Sequence, residues 1–386
     1  MIHPLKIMTI LGTRPEIIRL ASVMSTLEKF SNHVLVHTGQ NYDYELNQVF
    51  FDELGVRTPD HFLGVDTSSL GKTLGEILIK TEEVLLKEKP DAVLVLGDTN
   101  SAIALLMAKR MKIPTYHMEA GNRSFDANVP EENNRKLVDH MADFNLVYTE
   151  HARRHLISEG LPHRFTYVTG SPMREVLESK LEAINSSDVL QRLDLESGKY
   201  FIVSVHREEN VDSRENLAKV VDCLQQLHTS YGYPVVVSTH PRTRNRLESL
   251  APKIGGSDIR FLKPFGFFDY NKLQLDSFCA ISDSGTISEE SAILDFPAVT
   301  LRNSIERPEA LDAGSIIITG LDPEVLIQSV EIVTQEKSLF PHREIPEEYQ
   351  VSNTSLRVLK LITGTARLTS KWRNLDEFSR YDWDKE

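Results

Sequence analysis

Residues 93–135, VLVLGDTNSAIALLMAKRMKIPTYHMEAGNRSFDANVPEENNR, decide how the chain folds. The runs VLVL and PTYHM read as two buried strands, each followed by a carboxylate, Asp98 and Glu119, and more acids follow at Glu131 and Glu132. Where parallel strands stop, the next side chains face a crevice, so acids there can converge on one ligand. Asp98 alone also reads as a cap for the helical run SAIALLMAKRM, the usual role of Asp at a strand-to-helix turn.

Upstream, the strand KIMTIL enters the turn GTRPE and then a helix with Ile17, Leu20, Ala21 and Met24 at helical spacing. In that turn Thr13 suits the cap position and Pro15 the first turn, leaving N–H groups beside Arg14 for a phosphate. A second glycine-edged turn, His37 to Gln40, follows the strand HVLVHTGQ. A helix through NYDYELNQVFFDELG ends at Gly55, and a long helix, Thr73 to Lys89, stops at Pro90. Downstream come FNLVYTE, the helix HARRHLISEG and the strand FTYVTG. This alternation predicts an α/β fold whose parallel sheet is covered on both faces.

A second unit repeats the pattern through YFIVSV, YPVVVST, IRFL, CAISD, AVTL and SIIIT, with no sequence repeat. The expected organisation is an N-terminal Rossmann-like domain over 1–172, a connection over 173–197 and a second Rossmann-like domain over 198–363. Residues 364–386, with Trp372, Phe378, Tyr381 and Trp383, are expected to pack back on the first domain.

The 386 residues exceed what one core of about 250 residues holds, consistent with two domains. With 43 basic against 56 acidic residues the formal charge is −13, which argues against nucleic acid or anionic membrane as a partner. Cys223 and Cys279 form no close pair, and no run reaches the length of a membrane span or a signal peptide. The expectation is a soluble cytoplasmic protein.

In the second unit, YFIVSV leads into His206-Arg207-Glu208-Glu209-Asn210, which pairs a proton-exchanging group with a cation. The turn Ser282-Asp283-Ser284-Gly285-Thr286 opens a helix whose free amides suit a diphosphate. Glu289 and Glu290 read either as ordinary first-turn acids or, for one of them, as a partner of ribose hydroxyls. No Lys follows as in a P-loop. Arg14, Arg207 and Arg307 are candidate cations for a nucleotide diphosphate. The histidines show no HxH or HExxH spacing, so no metal is expected, and without GxGxxG no nicotinamide cofactor is expected either.

GTRPE at 12–16, GDT at 97–99, HMEAG at 117–121, PEENNR at 130–135, HREEN at 206–210, DSG at 283–285 and ERPE at 306–309 resemble the non-hydrolysing UDP-N-acetylglucosamine 2-epimerase family. The resemblance implies two Rossmann-like domains in a GT-B arrangement with the active site in the interdomain cleft, no cofactor, and a homodimer. It also implies elimination of UDP across C1 and C2 to a 2-acetamidoglycal, followed by re-addition with protonation from the opposite face. Asp98, Glu119, Glu131 and His206 match the catalytic positions; Arg14, His240, Ser284, Gly285, Glu290 and Arg307 should contact UDP, with Gln40, Arg135 and Arg207 as further binding candidates. HREEN in place of HRREN, GQNYDYELNQVFF in place of GQHRE, and DANVPEE depart from the family pattern in segments tied to activation by a second substrate molecule, which is not expected here. The departures look like the branch that makes UDP-N-acetyl-L-fucosamine from UDP-2-acetamido-2,6-dideoxy-L-talose for capsules and O-antigens. The alternatives are an epimerase making UDP-N-acetylmannosamine and, in another class, a GT-B glycosyltransferase.

Overall fold

A computed structural model describes residues 4–40, 44–126, 129–239, 258–340 and 345–373, which fall into two units, Met1–Val176 with Val351–Glu386, and Leu177–Gln350. The first unit is built on β1 (Lys6–Leu11), β2 (Asn32–His37), β3 (His61–Phe62), β4 (Ala92–Leu96), β5 (Thr115–Met118), β6 (Phe144–Val147) and β7 (Thr166–Val168). They form one parallel sheet in the order β3-β2-β1-β4-β5-β6-β7, with Met8 opposite Val34 on one side and Val93 on the other. The order reverses between β1 and β4, so the turns GTRPE and GDT flank the topological switch point, where open α/β sheets bind ligands.

Both sheet faces are covered, which is why these strands are apolar without alternation. Met8, Ile10, Val34, Val36, Val93 and Val95 pack with Ile77, Leu85 and Ala108 in one core. The helix Arg14–Phe30 buries Ile17, Leu20, Ala21, Val23, Met24 and Leu27, the expected stripe. β3 lies in the stretch read from sequence as a polar link. Two residues are too few for a periodic signal, and main-chain pairing of Val36 with His61 defines this edge instead.

The second unit carries β8 (Phe201–Ser204), β9 (Val235–Ser238), β10 (Ile259–Leu262), β11 (Cys279–Ser282), β12 (Ala298–Thr300) and β13 (Ile317–Ile318) in the order β10-β9-β8-β11-β12-β13, all parallel. Val203, Val237, Ile281 and Val299 face one core, with Leu224 and Leu227. Ile202, Val236, Ala280 and Ala298 face the other, with Leu273 and Ile287. Cys223 and Cys279 are buried free thiols.

The chain returns to the first unit at Val351, thirteen residues before the expected 364. Helix Thr354–Thr365 fixes that crossing: Thr354 Oγ1 donates to the Thr169 and Ser171 carbonyls at 3.1 Å, and Thr365 Oγ1 meets Tyr116 Oη at 2.7 Å. Trp372 then packs on Phe144 and Phe165, with the Arg164 guanidinium 5.0 Å from its ring. Phe378, Tyr381 and Trp383 lie outside the described residues. Among the described residues no helix is long and apolar enough to cross a membrane, and no cluster of His, Cys, Asp and Glu could hold a metal ion.

Candidate active site

At the first switch point the β1 turn fits against its neighbours so closely that only glycine is possible at position 12. A Cβ there would lie 2.0 Å from Thr38 Oγ1 and 2.2 Å from Ser101 Oγ. Beneath it Glu16 is buried; its Oε2 accepts from the Gly12 N–H at 3.0 Å and from Thr13 Oγ1 at 2.7 Å, and its Oε1 accepts from Thr99 Oγ1 at 3.1 Å. One carboxyl thus ties the turn after β1 to the turn after β4. Burial pushes its pKa up to about 7 against the lowering effect of these donors. Thr13 therefore spends its hydroxyl on Glu16 and makes no side-chain cap, contrary to the expectation from sequence.

The cap reading of Asp98 is also corrected. Thr99 caps the 3-10 segment Asn100–Ala104 by accepting from the Ser101 N–H at 3.3 Å, because the segment starts at Asn100 and puts residue 99, not 98, at the cap position. The Asp98 carboxylate meets Arg135 instead, whose Nε and Nη2 both lie 2.6 Å from Oδ2. Asn134 Nδ2 donates to the Asp98 carbonyl at 2.9 Å, so helix Pro130–Met141 holds this acid twice.

Glu119 leaves β5 at a φ of +62°, a left-handed conformation that a non-glycine residue adopts at a cost. Its carboxylate forms an ion pair with the buried Arg19 and accepts from Asn122 Nδ2 at 3.3 Å. Removing one partner of such a pair typically costs about 3–5 kcal/mol. Of the two acids opening helix Pro130–Met141, Glu131 is exposed, whereas Glu132 turns inward to accept from the Ser124 N–H at 3.0 Å, Ser124 Oγ at 3.1 Å and Arg135 Nη1 at 3.1 Å. Burial opposes ionisation of Glu132, but these donors outweigh it and hold its carboxyl below the ordinary range. Arg14 lies with its guanidinium 5.3 Å from the Phe50 ring. Gln40 is half-buried, and its Oε1 has no hydrogen-bond partner among the described residues.

In the second unit the equivalent switch point lies between β8 and β11. Asp283, fully buried, accepts from the backbone N–H of His206 and Arg207 and from Asn210 Nδ2, each at 3.0 Å, and lies 3.1 Å from His206 Nδ1. Burial opposes its ionisation, yet His206, the Arg207 N–H and Asn210 together hold the carboxyl below its ordinary range. The His206 ring itself is half exposed. Arg207 is oriented by the Asp283 carbonyl at 3.0 Å and by Glu306 at 3.0 Å, and Glu306 is clamped by Arg302 at 2.6 and 2.8 Å.

Above these cations, a Cβ on Gly285 would sit 3.8 Å from Arg307 Nε and 3.9 Å from Arg207 Nη2. The bare glycine turn at the N-terminus of helix Ile287–Leu294 therefore lies over two guanidiniums and, also at 3.8 Å, over Glu306 Oε2, which pairs with Arg207. Arg307 is buried in an ion pair with Glu289. Glu290 is nearly buried and accepts from Gln274 Nε2 at 2.8 Å, while Ser284 Oγ is engaged with Thr286 Oγ1 at 2.9 Å. His240, and residues 41–43 and 127–128 of the departing segments, lie outside the described residues. Glu16 and Arg19 are not singled out by the sequence reading, which names Glu132 only beside Glu131 in the acid cluster and Asp283 only as part of its turn; the T-x-x-E spacing of a capping box is the signal available for Glu16.

Residues 25–363 match the family model described as UDP-N-acetylglucosamine 2-epimerase. A solved UDP-N-acetylglucosamine 2-epimerase from Rickettsia bellii is 47% identical with a TM-score of 0.89, over 96% of this chain and 99% of that one. The Methanocaldococcus jannaschii UDP-GlcNAc 2-epimerase, solved in complex with UDP-GlcNAc and UDP, is 34% identical with a TM-score of 0.85, over 93% of this chain and 99% of that one. A UDP-2,3-diacetamido-2,3-dideoxy-D-glucuronate 2-epimerase of Pseudomonas aeruginosa is 32% identical over 330 residues, 84% of this chain and 91% of that protein. With two parallel-sheet units of the GT-B class and this match along most of its length, the chain belongs to the UDP-N-acetylglucosamine 2-epimerase family of non-hydrolysing isomerases.

Proposed function

We propose that the protein interconverts UDP-N-acetylglucosamine and UDP-N-acetylmannosamine. A carboxylate of the first unit removes the C2 proton as the C1–O bond to UDP breaks, giving a 2-acetamidoglycal. UDP then re-adds at C1 while C2 takes a proton on the opposite face. The observation that carries this reading is the pair of strand-end acids Asp98 and Glu119, held by the guanidiniums of Arg135 and Arg19. Such pairing favours the ionised form that a base requires. In the second unit Arg207 and Arg307 supply positive charge for the departing diphosphate, His206 assists catalysis near it, and Ser284, Gly285 and Glu290 complete its binding turn, with His240 assigned to UDP on resemblance alone. Asp98 serves in orientation or relay, Glu119 and Glu131 in proton transfer. Arg14, Gln40, Arg135 and Arg207 are assigned to binding.

The sequence departures favoured UDP-2-acetamido-2,6-dideoxy-L-talose as substrate. The named relatives instead support UDP-N-acetylglucosamine, and the Pseudomonas aeruginosa protein indicates that related chains act on differently substituted 2-acetamido sugars. Incubation with each UDP-sugar in heavy water, followed by NMR at C2, tests both. Deuterium at C2 with the sugar still joined to UDP supports the mechanism and identifies the substrate; no exchange with either sugar sinks it. Glu119→Gln should abolish exchange while UDP still binds. A homodimer in the cytoplasm belongs to the same reading, and light scattering on the purified chain checks its size.

A further inference from the structure

We propose that His117 is a positioning residue for this reaction, a buried imidazolium strut that sets the spacing of the three elements carrying Asp98, Glu119 and Glu131. The proposal rests on the epimerase reading above for its catalytic consequence, and on geometry for the strut itself. His117 sits on β5 two residues before Glu119. Its Nε2 meets the Gly97 carbonyl at 2.7 Å, on the turn that carries Asp98. Its Nδ1 meets Asp139 Oδ1 at 2.9 Å, on helix Pro130–Met141, which begins with Glu131 and also supplies Arg135. One ring therefore joins three separate chain segments.

The partners dictate the state of the ring. A backbone carbonyl can only accept, so Nε2 donates. Asp139 already accepts from Arg123 Nη1 at 2.7 Å and from the Gly121 N–H at 3.2 Å, and has no proton to offer, so Nδ1 donates as well. A ring that donates from both nitrogens is a cation. The surrounding charges agree: His117 and Arg123 balance Asp139 and Glu159, the last held by Arg123 Nε and Nη2 at 2.7 Å each. The other titratable group at this cluster is His140, whose exposed ring meets Glu159 at 3.2 Å. His117, Arg123 and Asp139 are all buried, so this inner part of the cluster is cut off from water, while Glu159 and His140 form its solvent edge.

What the strut holds is a pair of left-handed turns, one of them strained because it falls on the non-glycine Glu119. Gly97 and Glu119 have φ values of +71° and +62°, and the Gly97 N–H donates to the Met118 carbonyl at 3.0 Å. Backbone in this region persists where surrounding bonds over-determine it. Loss of the bond from His117 to Gly97 releases the turn that aims Asp98, and loss of the bond to Asp139 releases the helix that holds Asp98 through Arg135. Displacements of about 1 Å at reacting groups can cost on the order of 100-fold in rate.

Two measurements test this. In the wild-type chain, nitrogen-detected NMR of the histidine rings, with His117 assigned by its disappearance in His117→Gln, should show protons on both nitrogens. A neutral ring with one protonated nitrogen overturns the strut. His117→Gln removes the charge and one of the two bonds. It should slow deuterium incorporation at C2 about 100-fold while UDP affinity changes less than about threefold. Exchange within about threefold of wild type, or UDP affinity falling in parallel with exchange, overturns the positioning role. A wild-type chain inactive on both sugars overturns the epimerase reading and the catalytic role together, and the protonation result then judges the strut alone.

Discussion

Replacing Glu16 by Gln tests whether burial outweighs three hydrogen bonds at the first switch point. The folded chain holds the Glu16 proton up to about pH 7, whereas an unfolded carboxyl loses it near 4.5. Between those values the folded state binds more protons than the unfolded state, so stability falls as pH rises through the window and levels off above it. A shift from 4.5 to about 7, at roughly 1.4 kcal/mol per pH unit, amounts to roughly 3 kcal/mol. The substituted amide cannot ionise, yet it can still accept from the Gly12 N–H and donate to a threonine hydroxyl. The expected result is near parity of Glu16→Gln and wild type at pH 4.5, with the variant gaining roughly 3 kcal/mol on wild type by pH 8. Urea unfolding followed by intrinsic fluorescence at several pH values reads this, because other titrating groups cancel in the difference. A stability difference constant with pH to within about 0.5 kcal/mol would refute the reasoning, since Gly12, Thr13 and Thr99 would then fully offset desolvation.

Gly12→Ala forces a Cβ within 2.2 Å of two hydroxyl oxygens and should cost about 1–3 kcal/mol, read as a lowered thermal midpoint together with loss of C2 exchange. Trp372→Ala removes the packing on Phe144 and Phe165 and the contact with Arg164; denaturant unfolding should show a loss of about 2 kcal/mol, with UDP affinity unchanged because Trp372 touches none of the residues proposed to bind UDP. Burial pushes His37 down to about 4, so its ring signals should stay constant from about pH 5.5 to 8, and its contribution to stability should be lost only as pH falls from the unfolded value toward 4.

The strands of both units were legible because strands buried on both faces appear as short apolar runs between turns, and VLVL, FIVS and VVVS carry that pattern without ambiguity. β3 escaped because it has two residues and a polar neighbourhood, and what makes it a strand is the partner edge at Val36 and His37. The return at Val351 was misplaced for a related reason. Helix Thr354–Thr365 looks like any amphipathic helix; its allegiance is decided by Thr354 and Thr365 reaching main-chain and tyrosine partners more than 180 residues away in sequence.

The acids divide in the same way. Asp98 and Glu119 were visible because each stands just beyond an apolar strand, a local pattern that topology turns into a crevice position. Glu131 and Glu132 are indistinguishable by local pattern, both in the first turn of one helix, yet one faces solvent and the other is buried against Ser124 and Arg135. A step of one residue rotates a helical side chain by about 100°, so adjacent acids take opposite tasks, and the helix setting decides which. That setting depends on Asp139, two turns further along, and on the His117 ring that meets it. The role of each acid at the mouth of the crevice is therefore set from beneath it, by residues whose own sequence context looks like ordinary core.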